Sequence, residues 1–250
     1  MKRLTGKAGL VTGGANGIGR ASAMALAADG GKVAVCDIAA EAGEQVAAEI
    51  RAAGGEALFI RCDVTSEDQV RAVVEAVEQT WGGLDFAHNN AGLGTSGVGI
   101  EDQTMADWDF TLDVTLKSCL LGMKYQIPAM LRRGGGAIVN TASMAGQRWS
   151  PASSPAYAAA KAGVIQLSRY AANVYAERGI RVNSVSPGMT LTAIVADMFT
   201  PEQQNAIAAK GQLIGRPIRP DEIAETVLFL CSDRSSMITA MDFQVCGGAK

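Results

Sequence analysis

Tyr157 and Lys161, four positions apart in Ala156-Tyr157-Ala-Ala-Ala-Lys161-Ala162-Gly163, could between them move a proton. The run is helix-prone, and four residues make about one helical turn, so phenol and ammonium project from the same face. A free tyrosine titrates at about pH 10 and is a poor base at neutrality, but a neighbouring cation stabilises phenolate and lowers that value. Lowering it by about two to three pH units takes about 3–4 kcal/mol of differential stabilisation. An isolated Tyr/Lys pair of this spacing is ordinarily a solvated helix face. This pair has company. Ser143 follows the apolar run Ala137-Ile-Val-Asn-Thr-Ala142, so it stands at the carboxyl end of a strand, where open α/β sheets bind ligands. A hydroxyl there could donate to a carbonyl or alkoxide oxygen while the phenol exchanges a proton. Asn89-Asn90-Ala91-Gly92 and Ser186-Pro187-Gly188 end two further strand-like runs at the same edge.

Those groups need elements that bring them together, and the N-terminal third supplies the first. Thr12-Gly13-Gly14-Ala15-Asn16-Gly17-Ile18-Gly19 lies between the apolar run Ala8 to Val11 and the helix-like stretch beginning at Arg20. A strand, a glycine-rich turn and a helix in that order make a phosphate cradle: glycine backbone comes close to an anion, and the first helical turn offers unpaired N–H groups and a positive dipole end. The spacing is G-x3-G-x-G, not the commoner G-x-G-x-x-G, and glycine turns also occur where nothing binds. Lys32-Val-Ala-Val-Cys-Asp37 then reads as a second strand ending in an acid, 18 positions beyond Gly19. A dinucleotide fold puts the carboxylate that accepts from the adenosine ribose near there; otherwise Asp37 is a solvated strand end. A carboxylate at that point repels the additional phosphate of NADP, and Arg20, the one base near the turn, is expected to face solvent. The expectation is NAD rather than NADP.

Strand-like runs at about 8–12, 32–37, 56–61, 84–89, 136–142, 180–186 and 242–246 alternate with helical patterns at about 17–29, 41–53, 66–80, 103–132, 155–178 and 221–232. Ser66 with Gln69 reads as a capping box, and Asp221 opens a helix after Pro220. Alternation of this kind predicts a doubly wound α/β fold, a mostly seven-stranded parallel sheet with helices on both faces. Residues 1–250 fit one domain with a full core. The stretch 187–220 breaks the rhythm and is expected to be a substrate loop or lid.

Composition excludes several classes. A net charge of −3 gives no basic footprint for nucleic acid, and no run reaches the roughly 18 apolar residues that a membrane helix needs. The N-terminal stretch is not expected to be a signal peptide, because glycines break up the segment after its basic residues. Five scattered cysteines, never paired as C-x-x-C, read as reduced thiols of a cytoplasmic protein. The one histidine, His88, sits in an apolar strand pattern, so a catalytic metal is not expected.

Taken in order, Thr12-Gly13-x3-Gly17-Ile18-Gly19, Asp63-Val64, Asn89-Asn90-Ala91-Gly92, Ser143, Tyr157-x3-Lys161 and Pro187-Gly188-x3-Thr192 make the chain resemble a single-domain short-chain dehydrogenase/reductase over essentially its whole length. That resemblance implies a Rossmann-like fold in which Tyr157 is the general acid/base. Lys161 lowers the phenol's pKa and holds the nicotinamide ribose, and Ser143 orients the substrate oxygen. It implies a cofactor site of Gly13, Asn16, Gly17, Ile18 and Gly19 with Asp37 and Ile38. Asp63 would bind the adenine amino group beside Val64, and Asn90, Ala91 and Gly92 would shape the crevice. Pro187, Gly188, Thr190 and Thr192 would lie at the carboxamide. The C-terminal Asp242-x2-Val245-Cys246-Gly247-Gly248 is similar to the family's last strand, which implies a homotetramer.

Two departures stand out. Asp113-Val114-Thr115-Leu116-Lys117 carries threonine where the family has an asparagine that anchors a water-linked proton relay. Thr115 keeps a hydroxyl but lacks the amide, which implies slower chemistry rather than none. Ser143 and Tyr157 are 14 positions apart, one more than in the commonest members, and the surplus residue is expected in the substrate-bordering loop Gln147 to Pro155. The expected reaction is reversible hydride transfer between NAD+ and a secondary alcohol or ketone. Met144, Gln147, Trp149, Met189, Ile194 and Met198 are the candidate pocket residues, and they suggest an apolar, cyclic or aromatic-bearing substrate. Arg148 reads as a solvated loop residue. The alternatives are an acyl-carrier-protein ketoreductase of the same fold and a non-catalytic dinucleotide-binding scaffold.

Overall fold

The computed structural model describes residues 2–93 and 97–249; the side chains of Ile194 and Met198 lie outside the described part. The apolar runs form β1 (Ala8–Thr12), β2 (Lys32–Asp37), β3 (Glu56–Arg61), β4 (Phe86–Asn89), β5 (Gly136–Thr141), β6 (Ile180–Pro187) and β7 (Asp242–Val245). Among the described residues these strands make one sheet in the order β3-β2-β1-β4-β5-β6-β7. Every pairing is parallel. From β1 the chain winds outward to β3, then crosses back to β4 on the other side of β1. That reversal opens a crevice beyond the carboxyl ends of β1 and β4.

The helices are α1 (Gly17–Ala28), α2 (Ala40–Ala52), α3 (Glu67–Trp81), α4 (Met105–Leu112), α5 (Ser118–Arg133), α6 (Pro155–Tyr175), α7 (Ala193–Met198), α8 (Pro201–Gly211) and α9 (Pro220–Cys231); α1, α2 and α9 cover one face of the sheet and α3, α5 and α6 the other. Strand side chains alternate between faces, so neighbours in sequence enter different cores. Val11, Val35 and Val139 join Leu26, Ile50 and Val227 under α1, α2 and α9. Leu10, Ala34 and Ile138 join Val73, Met130 and Ala172 under α3, α5 and α6.

Two local expectations are corrected. The helix expected at 103–132 is two helices, α4 and α5, joined by a π-helical turn at Asp113–Lys117. The capping box at Ser66 is absent: its side chain makes no cap bond, and Gln69 Oε1 instead accepts from Asp63 N at 2.9 Å. The arrhythmic stretch 187–220 contains α7 and α8, the latter opened by a capping box in which Thr200 and Gln203 satisfy each other's backbone N–H. Ala208 and Gln204 of α8 are buried, so α8 packs against the body of the fold.

Candidate active site

β5 and α6 bring the proton-handling groups together. Past the end of β5, Ser143 has extended backbone (φ −168°), and its Oγ accepts from Ala145 N at 3.1 Å. The hydroxyl proton is not used in that bond and is left to donate. The 3-10 turn Met144–Gly146 then lies flush on α6, where a Cβ on Gly146 would come within 2.6 Å of Ala162 N and of the Lys161 carbonyl carbon. Only glycine allows that approach. α6 itself starts sharply: Ser154 Oγ accepts from Tyr157 N at 3.2 Å and Pro155 takes the first turn. Tyr157 thus sits in the first turn, and the half-buried ring lies 5.6 Å from Lys161 Nζ. Lys161 is only 2 % exposed and donates to the Thr141 carbonyl at 2.6 Å, which leaves two ammonium protons for other acceptors.

The glycine turn of β1–α1 lies at the same edge. Gly13 and Gly17 take left-handed conformations (φ +61° and +51°), and a Cβ on Gly19 would come within 1.9 Å of the Gly13 carbonyl oxygen. Asn16 precedes α1 without capping it, and the first turn carries no acid, so the leading N–H groups stay open to an anion beside Ile18. Thr12 Oγ1 accepts from Asn90 N and Ala91 N at 3.0 and 3.2 Å, while Asn90 Nδ2 donates to Thr12 O and Gly13 O, each at 3.2 Å. These bonds tie the end of β4 to the turn. Gly92 comes close enough to Lys161 that a Cβ would lie 3.2 Å from Nζ.

Asp37, at the end of β2, accepts from Ala15 N and Ala39 N at 3.0 Å each, which fixes its carboxylate beside the cradle with lone pairs to spare; Ile38 next to it is exposed. Arg20 points away to pair with Glu49. Hydrogen bonds from the Thr65 hydroxyl and N–H hold the Asp63 carboxyl below its usual range. Val64 packs beneath on the α3 side. Beyond Pro187 and Gly188, Thr190 Oγ1 donates to Gly188 O at 3.0 Å. Thr192 opens α7, and its methyl carbon lies 3.3 Å from where a Cβ on Gly17 would stand, so α7 begins over the cradle. Open N–H groups, a glycine surface and two carboxylates at the ends of β2 and β3 fit a dinucleotide.

The candidate substrate rim is less uniform. Met144 and Met189 are half-buried beside the site, whereas Trp149 is 84 % exposed on the 147–154 loop. Gln147 donates to Asp242 Oδ2 at 2.6 Å, and Arg148 reaches Gly211 O at 3.5 Å, so the loop is moored to β7 and to the end of α8. Thr115, in the π-helical turn, is fully buried and its Oγ1 has no hydrogen-bond partner in the protein. Four further positions belong to the site and are not legible in the sequence. Thr141 and His88 buttress Lys161 and Asn90. Gln212 is buried and accepts from Met189 N at 3.0 Å. Asp242 collects Ser184 Oγ, Ser186 Oγ and Gln147. Short-range patterning carries no trace of these, because each bonds to partners 20 or more positions away. Among the described residues no three His, Cys, Asp or Glu side chains gather as a metal site, and no helix is long and apolar enough to cross a membrane.

Comparison with known proteins accords with this geometry. A family model described as enoyl-(acyl carrier protein) reductase matches residues 13–250. The crystal structure of a short-chain type dehydrogenase/reductase from Mycobacterium marinum is 36 % identical with a TM-score of 0.92, covering 98 % of this chain and 95 % of that one. The chain is a short-chain dehydrogenase/reductase. A cyclohexanol dehydrogenase of Acinetobacter sp. (strain SE19) is 39 % identical over 98 % of this chain and 95 % of its own length. A 7α-hydroxysteroid dehydrogenase, solved with NADH and 7-oxo glycochenodeoxycholic acid, is 34 % identical with a TM-score of 0.93 over 99 % of this chain and 95 % of that one. This short-chain dehydrogenase/reductase is an oxidoreductase that interconverts a secondary alcohol and a ketone with a nicotinamide dinucleotide.

Proposed function

We propose that the chain is an NAD-dependent dehydrogenase of cyclic secondary alcohols, with Tyr157 as general acid/base. The observation that carries the reading is the buried Lys161 one helical turn from Tyr157, at the same sheet edge as the glycine turn. Bound NAD+ would supply the hydride acceptor. Ser143, whose Oγ already accepts from Ala145 N, donates its own proton to the substrate oxygen. Tyr157 takes the hydroxyl proton as the C–H bond breaks. Lys161 holds a ribose hydroxyl with a proton not given to Thr141 O, and its ammonium stands 5.6 Å from the Tyr157 ring. Gly13, Asn16, Gly17, Ile18 and Gly19 receive the pyrophosphate. Asp37 accepts from the adenosine ribose, Asp63 binds the adenine amino group, and Thr190 and Thr192 meet the carboxamide.

Asp37 supports NAD over NADP, since its carboxylate sits beside the cradle and Arg20 is taken by Glu49. Met144, Trp149 and Met189 support an apolar ring in the substrate, as do the two relatives whose names specify cyclohexanol and a hydroxysteroid. Residues 187–220 serve as the lid, with Met198 on it. We also infer a homotetramer. A cytoplasmic setting is supported by five free, buried cysteines; burial raises the thiols of Cys62 and Cys231 to about 11 and about 12. The test is absorbance at 340 nm with cyclohexanol and ring-substituted analogues, in the presence of NAD+ and NADP+ separately. Turnover is expected with NAD+, and Tyr157→Phe should lower kcat by about a hundredfold or more. Activity retained in Tyr157→Phe overturns the mechanism, and a preference for NADP+ overturns the reading of Asp37.

A further inference from the structure

His88 is the one histidine of the chain and is fully buried on β4. Its Nε2 lies 2.8 Å from Thr141 Oγ1, while Nδ1 is buried with no partner. The direction of the Nε2 bond is set by its neighbours. Asn90 Nδ2 faces two carbonyl oxygens, Thr12 O and Gly13 O, which only an amide N–H can satisfy. Its Oδ1 therefore turns toward Thr141 Oγ1, 3.3 Å away, and takes that hydroxyl's single proton. Thr141 Oγ1 must then accept from His88, so the ring carries its proton on Nε2. The orphan nitrogen, Nδ1, is a bare acceptor, cheaper to bury unpaired than an N–H. Donation runs one way from the imidazole through the Thr141 hydroxyl and the Asn90 amide to the glycine turn. The Thr141 peptide carbonyl meanwhile accepts from Lys161 at 2.6 Å.

We propose that His88 is a positioning residue of this enzyme: by donating to Thr141 it fixes both the carbonyl that holds Lys161 and the amide that holds the glycine turn. The proposal rests on Lys161 and the glycine turn serving the nicotinamide cofactor. It gives His88 no contact with substrate or cofactor and no proton to transfer in the reaction. What it supplies is a fixed donor that a hydrocarbon side chain lacks. The amide nitrogen of glutamine can occupy the position of Nε2, so His88→Gln is the conservative variant.

Because the chain has one histidine, histidine-selective ¹⁵N labelling of the full-length protein gives a single pair of ring nitrogens. Long-range ¹H–¹⁵N correlation is expected to show the Nε2–H tautomer; the Nδ1–H tautomer overturns the proposal. In parallel, NAD+ affinity and steady-state kinetics with cyclohexanol are measured for His88→Leu, His88→Gln and Thr141→Val below each protein's melting temperature. His88→Leu should weaken NAD+ binding and lower kcat, each by about three- to tenfold, the loss expected of one hydrogen bond. His88→Gln should restore both to within about twofold, and His88→Leu should add little to Thr141→Val. Values in His88→Leu equal to those of the unsubstituted protein overturn the proposal, as do equal losses in the leucine and glutamine variants. If His88→Leu does not fold, the tautomer and the Thr141→Val losses decide. An unsubstituted protein that neither binds NAD+ nor oxidises cyclic alcohols ends the dehydrogenase reading instead, and the tautomer still decides the polarity of the bond.

Discussion

His88 makes the acid stability of this chain unusually easy to read. Burial, with a smaller contribution from the Lys161 charge, lowers its pKa from 6.5 to about 3. A histidine depressed in the folded state binds fewer protons than in the unfolded chain between about pH 3 and 6.5. Its contribution is complete above pH 6.5 and is lost as pH falls from there to about 3, at up to about 1.4 kcal/mol per pH unit. The carboxylates with lowered values, among them Asp63 and Glu222 (about 2), act only below about pH 4.5. Between pH 6.5 and 5 the slope therefore belongs to one side chain. Urea unfolding across that range should show stability falling with acidity in the unsubstituted protein and a flat profile in His88→Gln; a flat profile in both refutes the depressed value. Thr115 poses a kinetic question at the same scale. Its hydroxyl is buried and unpartnered, at the position where the resemblance to the family implies an amide. Thr115→Asn is expected to raise kcat by up to about tenfold, equivalent to about 1.4 kcal/mol of barrier, with NAD+ affinity unchanged. An unchanged rate would show that the threonine costs the relay nothing.

The elements carry different amounts of their information locally. Seven strands and six helical stretches stand out in the sequence because a two-faced parallel sheet demands short apolar runs between amphipathic helices. Tyr157, Lys161 and Ser143 are legible for the same reason: each lies a fixed, short distance from a strand end or helix start. The π-helical turn at Asp113–Lys117 has no such signature, since a single widened turn inside a helical stretch requires no particular residue type. Nor has Gly146 a visible role in the sequence, because its constraint comes from α6, which lies beyond the loop. That contact can be tested. Gly146→Ala puts a methyl group 2.6 Å from Ala162 N and must lift the Ser143 turn off α6, so kcat should fall by at least about tenfold while NAD+ affinity stays within about twofold, a split that overpacking elsewhere would not give. A second local strain is milder. Ala240, entering β7, has φ +61°, the left-handed region that disfavours any Cβ. Ala240→Gly should raise the melting temperature, by the equivalent of about 0.5–1 kcal/mol once glycine's extra freedom in the unfolded chain is set against the relief. A lower melting temperature would mean that the Ala240 methyl contributes more by packing than it costs in strain.

At the scale of the whole molecule, the carboxyl edge of the sheet carries the candidate site, and the outer faces are left with apolar side chains that the single chain does not cover. Tyr170 and Val174, 67 % and 47 % exposed, lie four apart and so share one face of α6; Phe110 on α4, which packs against α6, is 57 % exposed. A separate group, Met237 and Met241 at 94 % and 55 %, flanks the approach to β7, a four-residue strand at the open edge of the sheet. Soluble chains rarely leave such patches bare, and an exposed strand edge invites pairing. Two patches that each paired with their own copy would make two kinds of two-fold contact, and two such axes close into a tetramer. Sedimentation equilibrium should therefore give a mass near four chains of 25.9 kDa at micromolar concentration. Tyr170→Glu with Val174→Glu should leave a dimer held by the β7 edge, and Met237→Glu with Met241→Glu should leave the complementary dimer held by α6. Combining the four should give a monomer. A monomeric unsubstituted protein would refute the assignment outright. A tetramer indifferent to either pair would move the contact to another face, because buried glutamate carboxylates without partners cannot be tolerated at a two-fold axis where each meets its own copy.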